Sequence, residues 1–379
     1  MPKPVGIIGA GQLAQMTAIA LHEHRAELDL ELTIQASSPE DVANSYADRL
    51  LVGSDYRELV NTCTTITFEN EFIDPYQLRT IIDPAKEPRF LPSLHLMATL
   101  TDKYHQRQHL QKHGLPLPRF LPVYDRDSLI TSAYSLGFPC VLKARRHGYD
   151  GKGTWISQSL PQLLEAWQTI GQVPALLEEY IGYTHELAIM VVKNEYQTIL
   201  YPLVQTIQQQ QICTQVIAPA PIPPSLSTKA ITIAEKVAHS LPSAGIYGIE
   251  LFVVPHENII INEIAPRPHN SGHYTIEACH VSQFYQLLRL TADLPLIPPQ
   301  MRSPIAVMIN LLGQGNSSDN YQQKREKIRE LPNLHLHWYG KSRSQLGRKL
   351  GHVTILGNDL AEVLSIGQSV EAIWQNPTA

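Results

Sequence analysis

A chain of 379 residues is longer than one typical domain, so two or three are expected. Its 43% hydrophobic and 17% charged residues fit a soluble globular protein with a large core. A net charge of -5, a pI near 6.3 and no long basic block argue against a nucleic-acid or membrane surface. Cys63, Cys140, Cys213 and Cys279 form no CxxC pair, which speaks against a disulfide framework or zinc site and suits a reducing, cytoplasmic compartment. No apolar run reaches the length of a transmembrane helix. The N-terminal apolar stretch is broken by Gly6, Gly9 and Gly11 and reads as strand and turn, not signal peptide.

Residues 4–8 predict a short strand, followed by Gly9-Ala10-Gly11-Gln12-Leu13-Ala14 and a helix through Leu21. This opens a doubly wound α/β unit. The turn matches G-x-G-x-x-A, but the next strand, Leu30 to Ala36, runs into Ser37-Ser38 and lacks the acidic ribose partner of a nicotinamide site. The turn is expected to offer backbone N–H groups to some other phosphate. Thr64 to Phe68 predicts a buried strand ending in Glu69 and Glu71, which share a face where ligands sit in open α/β sheets. A solvated strand end accounts for them equally well. Between Pro84 and Thr101 the pattern loosens, and a first boundary falls near residue 100. Asp102 to Leu110 predicts a helix with Lys103 near its start and a His113-Gly114 stop.

Cys140 to Arg145 predicts a strand with Val141, Lys143 and Arg145 on one face. The Gly148–Gly153 loop then leads to a return strand over Thr154–Ser157. Such a loop can fold over a triphosphate and offer backbone donors. It is not a Walker loop, because the spacing differs and a strand replaces the helix. Ala175 to Tyr180 predicts a strand that runs into Ile181-Gly182, where free backbone groups suit an adenine edge, and Glu186 suits a ribose. Taken alone, each is ordinary surface. Residues 196–218 predict two strands joined by Gln208–Gln211, Pro219–Pro224 a rigid connector, and Leu226–His239 an amphipathic helix.

Ile249–Val254 and Ile259–Ile264 predict a β-hairpin around Pro255-His256-Glu257-Asn258. A turn centred between His256 and Glu257 sets Glu250 opposite Glu263. Facing carboxylates weaken a sheet unless a hard cation such as Mg²⁺ lies between them. Ala265 to His273 then packs Arg267, His269, Asn270, Ser271 and His273 into one loop, poor core material but suited to an anionic, oxygen-rich substrate. Ile297-Pro298-Pro299 marks a second boundary. The tail predicts short strands, a charged helix over Tyr321–Glu330, and Lys341, Arg348 and Lys349 as a phosphate clamp or as solvated surface.

The order of motifs is a second source of expectation. GAGQLAQM, TFENE, LKARRHGYDGKG, EEYIGYTHE, NEIAPRPHNSGH and LHWYGKSRSQLGRKLGH span most of the chain. With them it resembles the ATP-grasp superfamily and, within it, the 5-(carboxyamino)imidazole ribonucleotide synthase family. The resemblance implies an α/β N-terminal domain over 1–100, a two-part ATP-grasp fold over 101–298 and a small β-rich C-terminal domain over 299–379. It implies an ATP-dependent ligase of purine biosynthesis that carboxylates 5-aminoimidazole ribonucleotide with bicarbonate, and a homodimer.

It also implies roles. Lys103 and Lys143 touch nucleotide phosphates, and Gly148, Tyr149, Asp150, Gly151, Lys152, Gly153 and Thr154 close over them. Glu178, Glu179, Tyr180 and Ile181 form the adenine hinge, with Glu186 at the ribose and Gln208 nearby. Glu250 and Glu263 hold Mg²⁺, with Asn262 beside them. Gln12, Leu13, Glu71, Tyr149, Arg267, His269, Asn270, Ser271, Lys341, Arg348 and Lys349 line the substrate side. Asp150, Arg267 and Lys143 are the implied catalytic groups. The chain departs from the pattern at Gln208, where a histidine is common, and at His147, Thr154 and Ala14. A formate-activating ligase, a non-catalytic nucleotide sensor and a nicotinamide oxidoreductase are the competing readings.

Overall fold

The computed structural model describes residues 1–146, 148 and 153–376. Lys3–Ile8, Leu30–Ala36, Arg49–Val52, Thr65–Phe68 and Arg89–Leu91 form a parallel sheet. The Lys3–Ile8 strand lies at its centre, flanked by Leu30–Ala36 and Thr65–Phe68. The central strands are buried along most of their length, as expected where helices cover both faces, while the edge strand Arg49–Val52 is mostly exposed. Residues 84–101 are not loose as expected. They contain the strand Arg89–Leu91 and the helix Leu94–Leu100, whose N-cap Ser93 accepts from the Leu96 N–H.

Phe120–Val123, Ala175–Glu179, Cys140–Ala144 and Thr154–Ser157 build an antiparallel sheet in that spatial order. Helices Arg126–Leu136 and Leu160–Thr169 pack on it around Leu129, Leu142, Leu163 and Trp167. The third and largest sheet, nine strands among the described residues, begins with Asn258–Ala265, Gly245–Val254 and His185–Lys193. It passes through Val204–Gln209 and Ile212–Ala218 into Ile305–Leu312, Lys349–Gly357 and Leu334–Trp338. The short strand Thr198–Leu200 also pairs with His185–Lys193. The C-terminal strands therefore extend one sheet instead of forming their own. One face of it packs on helix Pro224–Ser240 through Leu187, Ile189, Leu251, Ile261, Ala230 and Ala234.

Three details differ from expectation. Residues 196–218 hold three strands, not two. A 16-residue helix, Leu360–Gln375, closes the chain where only strands and one helix were foreseen. The hairpin tip is centred on His256, since Val254 pairs with Asn258, and His256 and Glu257 both have positive φ (64° and 56°). Glu250 still faces Glu263, because a bulge at Asn262 shifts the register by one residue. The facing pair was anticipated, but its cause was a bulge and not the turn. No helix among the described residues is long and apolar enough to cross a membrane.

Candidate active site

The three sheets surround a cleft of about 780 Å³. Its floor is one face of the large sheet. Glu186 pairs with Thr206 on one side and Phe252 on the other, and the next row carries Glu250 and Glu263. Alternation puts these side chains on the face opposite the helix-packed core.

Helix Lys103–Lys112 enters under this floor. Its N-cap Asp102 accepts from the Tyr104 and His105 N–H groups and pairs bidentately with Arg145, just past the Cys140–Ala144 strand. That joint fixes Lys103, whose Nζ donates to Glu263 Oε2 at 2.6 Å. One turn on, Arg107 pairs with the buried Glu178 carboxylate, and Lys143 Nζ reaches its other oxygen at 2.7 Å. Burial alone would push Glu178 up. Arg107 and Lys143 outweigh it and bring the carboxyl down to about 2. The Glu178 side chain is thus committed to the two cations. Arg107 was missed in the sequence, although its i,i+4 spacing from Lys103 puts both on one helix face.

Asn262, the bulge residue, ties the groups together. Its Nδ2 donates to Glu250 Oε2 at 3.0 Å, its Oδ1 accepts from Lys143 at 3.4 Å, and its carbonyl accepts from Arg107 at 2.7 Å. Burial, then Glu186 and Glu263, push Glu250 up to about 8. Burial lifts Glu186 to about 7, against the Gln208 amide that donates to it at 3.0 Å. Glu263 moves the other way: burial would raise it, but the Lys103 ammonium holds it low. Glu250 faces Glu263 across the bulged strand pair, and two such carboxylates are hard oxygen donors of the kind Mg²⁺ takes together with phosphate oxygens. Glu250 and Glu263 fit Mg²⁺ on that ground.

On the far wall, Arg267 pairs with the half-buried Glu71 at 3.0 Å. His269 lies 3.4 Å from Glu250 and 2.9 Å from Ser271 Oγ. Gly248 makes room for it, since a Cβ there would sit 2.7 Å from His269 Cβ. Asn270 exchanges two amide hydrogen bonds with Asn310, at 2.9 and 2.7 Å. Lys341 donates to Gln12 Oε1 at 2.5 Å and to the Lys349 carbonyl at 2.7 Å, which joins the C-terminal loop to the N-terminal helix. Arg348 donates to the Arg343 carbonyl at 2.7 Å.

Lys103, Lys143, Gly148, Thr154, Glu178, Glu179, Tyr180, Ile181, Glu186, Gln208, Glu250, Asn262 and Glu263 all line the cleft. So do Gln12, Leu13, Glu71, Arg267, His269, Asn270, Ser271, Lys341, Arg348 and Lys349. Gly153 is not among the lining residues; its carbonyl accepts from Ala144 N–H and closes the strand pair beneath the loop. Tyr149, Asp150, Gly151 and Lys152 lie outside the described residues, as does His147. The Gly9–Gly11 turn does not offer the open phosphate cradle expected of it. The Glu69 carboxylate lies against it, 2.3 Å from where a Cβ on Gly11 would stand. The Tyr183–Phe252 stack, with centroids 4.4 Å apart, is an apolar wall that sequence reading overlooked.

Comparison with known proteins gives the same reading. The ATP-grasp domain family matches residues 108–284, and the phosphoribosylaminoimidazole carboxylase C-terminal domain family matches 306–366. The N5-carboxyaminoimidazole ribonucleotide synthase of Synechococcus elongatus is 43% identical over 98% of this chain and 96% of its own. The crystal structure of carboxyaminoimidazole ribonucleotide synthase from Aspergillus clavatus complexed with ATP superposes with a TM-score of 0.90 at 31% identity, over 98% of each chain. The Aspergillus clavatus N5-carboxyaminoimidazole synthase in complex with ADP and 5-aminoimidazole ribonucleotide gives 0.88 at 30%, again over 98% of each. At this identity and coverage, the chain belongs to the N5-carboxyaminoimidazole ribonucleotide synthase family of ATP-grasp proteins.

Proposed function

We propose that this chain joins carboxylate to amine at the expense of ATP. 5-Aminoimidazole ribonucleotide, bicarbonate and ATP give 5-(carboxyamino)imidazole ribonucleotide, ADP and phosphate, a step of purine biosynthesis. The observation that carries this is the convergence, in one cleft, of a facing carboxylate pair, two ion-paired lysines and the cationic Arg267 loop. Units 1–100, 101–298 and 299–379 all contribute side chains to it in this reading.

Bicarbonate oxygen attacks the γ-phosphate, and ADP leaves with the electrons of the broken P–O bond. The amine nitrogen then attacks the carboxyl carbon of carboxyphosphate. Phosphate leaves, and the amine gives up a proton. Lys103 and Lys143 neutralise phosphate charge from fixed positions. Arg267, held by Glu71, offsets charge on the transferred oxygens. Glu250 and Glu263 would hold Mg²⁺, which supplies charge neutralisation at the phosphates. Thr206, Glu186 and Phe252 receive the nucleoside, and the backbone of Glu179–Ile181 its base. Asp150 is the proposed proton acceptor and Tyr149 a substrate contact. Lys341, Arg348 and Lys349 take the ribonucleotide phosphate. We also propose a cytoplasmic homodimer, which sedimentation equilibrium of the purified protein reads directly.

The test is ADP formation with one substrate omitted at a time. Release is expected only with both the ribonucleotide and bicarbonate present. Equal release without them, or with formate replacing bicarbonate, overturns the reading.

A further inference from the structure

We propose that Gln283 is a positioning residue for the substrate loop: its side-chain amide clamps the backbone of His269 and so sets where the His269 ring stands in the cleft. This rests on the proposed function, since it takes His269 as part of the ribonucleotide site.

Gln283 opens the helix Gln283–Thr291, one residue after the N-cap Ser282, and is fully buried. A buried amide is costly unless each of its hydrogen-bonding atoms finds a partner. Here they do. Gln283 Oε1 accepts from His269 N–H at 2.9 Å, and Nε2 donates to the His269 carbonyl at 2.9 Å. The second Nε2 proton points to His273 Nδ1 at 3.1 Å.

The orientation of this amide is fixed by chemistry. A backbone N–H can only donate and a carbonyl can only accept, so a flipped amide would oppose donor to donor and acceptor to acceptor. With both Nε2 protons spent, His273 Nδ1 must accept, and the His273 ring is the neutral Nε2–H tautomer. Complete burial keeps that imidazole uncharged, well below its ordinary range.

The clamp has a backbone counterpart. A Cβ on Gly272 would come within 2.6 Å of Gln283 Oε1, so the loop reaches the amide only because residue 272 has no side chain. The Gln283 N–H in turn donates to Thr275 Oγ1 at 3.0 Å, which anchors the helix to the end of the same loop. His269 is thereby held at three places: its backbone by Gln283, its Nδ1 by Ser271, and its Nε2 by Glu250. Without Gln283, the His269 N–H loses this acceptor and the carbonyl loses one of its donors, the Gly272 N–H at 2.9 Å remaining, so the loop is free to shift. A shift on the order of 1 Å at a positioning group costs about a hundredfold.

The experiment is Gln283→Met, which keeps side-chain length and removes the amide. In a folded variant, KM for the ribonucleotide rises or kcat falls by about tenfold or more, while KM for ATP stays within about twofold. The double variant with His269→Ala is no worse than His269→Ala alone, because the clamp acts through that residue. Unchanged ribonucleotide kinetics, an equal shift for ATP, or multiplying effects overturn the proposal. Should Gln283→Met fail to fold, ¹⁵N-histidine spectra of the unaltered protein decide. His273 is expected to show an unprotonated Nδ1, and a protonated Nδ1 rules the clamp out. An unaltered protein that makes no ADP with both substrates counts against the proposed function, and the spectra still test the clamp.

Discussion

Glu250 and Glu186 give the cleft a pH signature. Burial and neighbouring carboxylates hold Glu250 up to about 8, and burial holds Glu186 up to about 7, against an ordinary 4.5. Folding therefore favours their protonated forms. The stability they contribute is complete below the ordinary value and is lost as pH rises through 7 and 8. The buried His273 and His352, whose ordinary value is 6.5, pull the other way only below that pH. Between pH 6.5 and 8, Tm of the ligand-free protein should fall, Glu250→Gln should flatten the slope, and Mg²⁺ with a nucleotide should lift Tm most at the alkaline end. A Tm that is level or rises over that window contradicts the carboxylate cluster. In steady-state assays, Glu263→Gln should lower turnover by about two orders of magnitude, and near-normal turnover would remove its metal role. Arg267→Ala should cost a similar factor in kcat, whereas a change confined to ATP affinity would contradict its placement. At this scale the sequence was informative wherever chemistry is dense, as in the Arg267–His273 run. It was silent on Arg107 and Gln283, whose partners lie 71 and 14 residues away and become visible only when the chain has folded.

The helix Lys103–Lys112 shows how an element delivers a site residue. Asp102 satisfies two of its free N–H groups and binds Arg145 and Arg146, so cap and ion pairs share one carboxylate. Asp102→Ala should cost roughly 2 kcal/mol, the sum of a lost cap and a lost ion pair to the half-buried Arg145. Urea unfolding reads this directly, and a loss below about 1 kcal/mol would mean the joint carries little. The start of this helix was legible because Asp before Lys-Tyr-His is a cap signal. The closing helix Leu360–Gln375 carried a comparable one, Asp359 accepting from the Glu362 N–H, yet it went unread amid alternating strands. The hairpin tip failed for a local reason. Two consecutive left-handed residues, His256 and Glu257, are rare outside glycine and leave no pattern in the sequence.

Across the whole molecule, the order of motifs foretold the class of fold, but not which strands would be neighbours. Pairing between distant segments depends on packing that no local window contains. Strand Ile305–Leu312 lies between Ile212–Ala218 and Lys349–Gly357, hydrogen-bonded to both. A scission of the chain at 298 would therefore not release two self-sufficient halves. The larger fragment would bare the rim of Ile212–Ala218 to any extended peptide, and the smaller would bare one edge of Ile305–Leu312. Expressed apart, each piece should aggregate; made together, they should find one another and restore a working ligase without a covalent join.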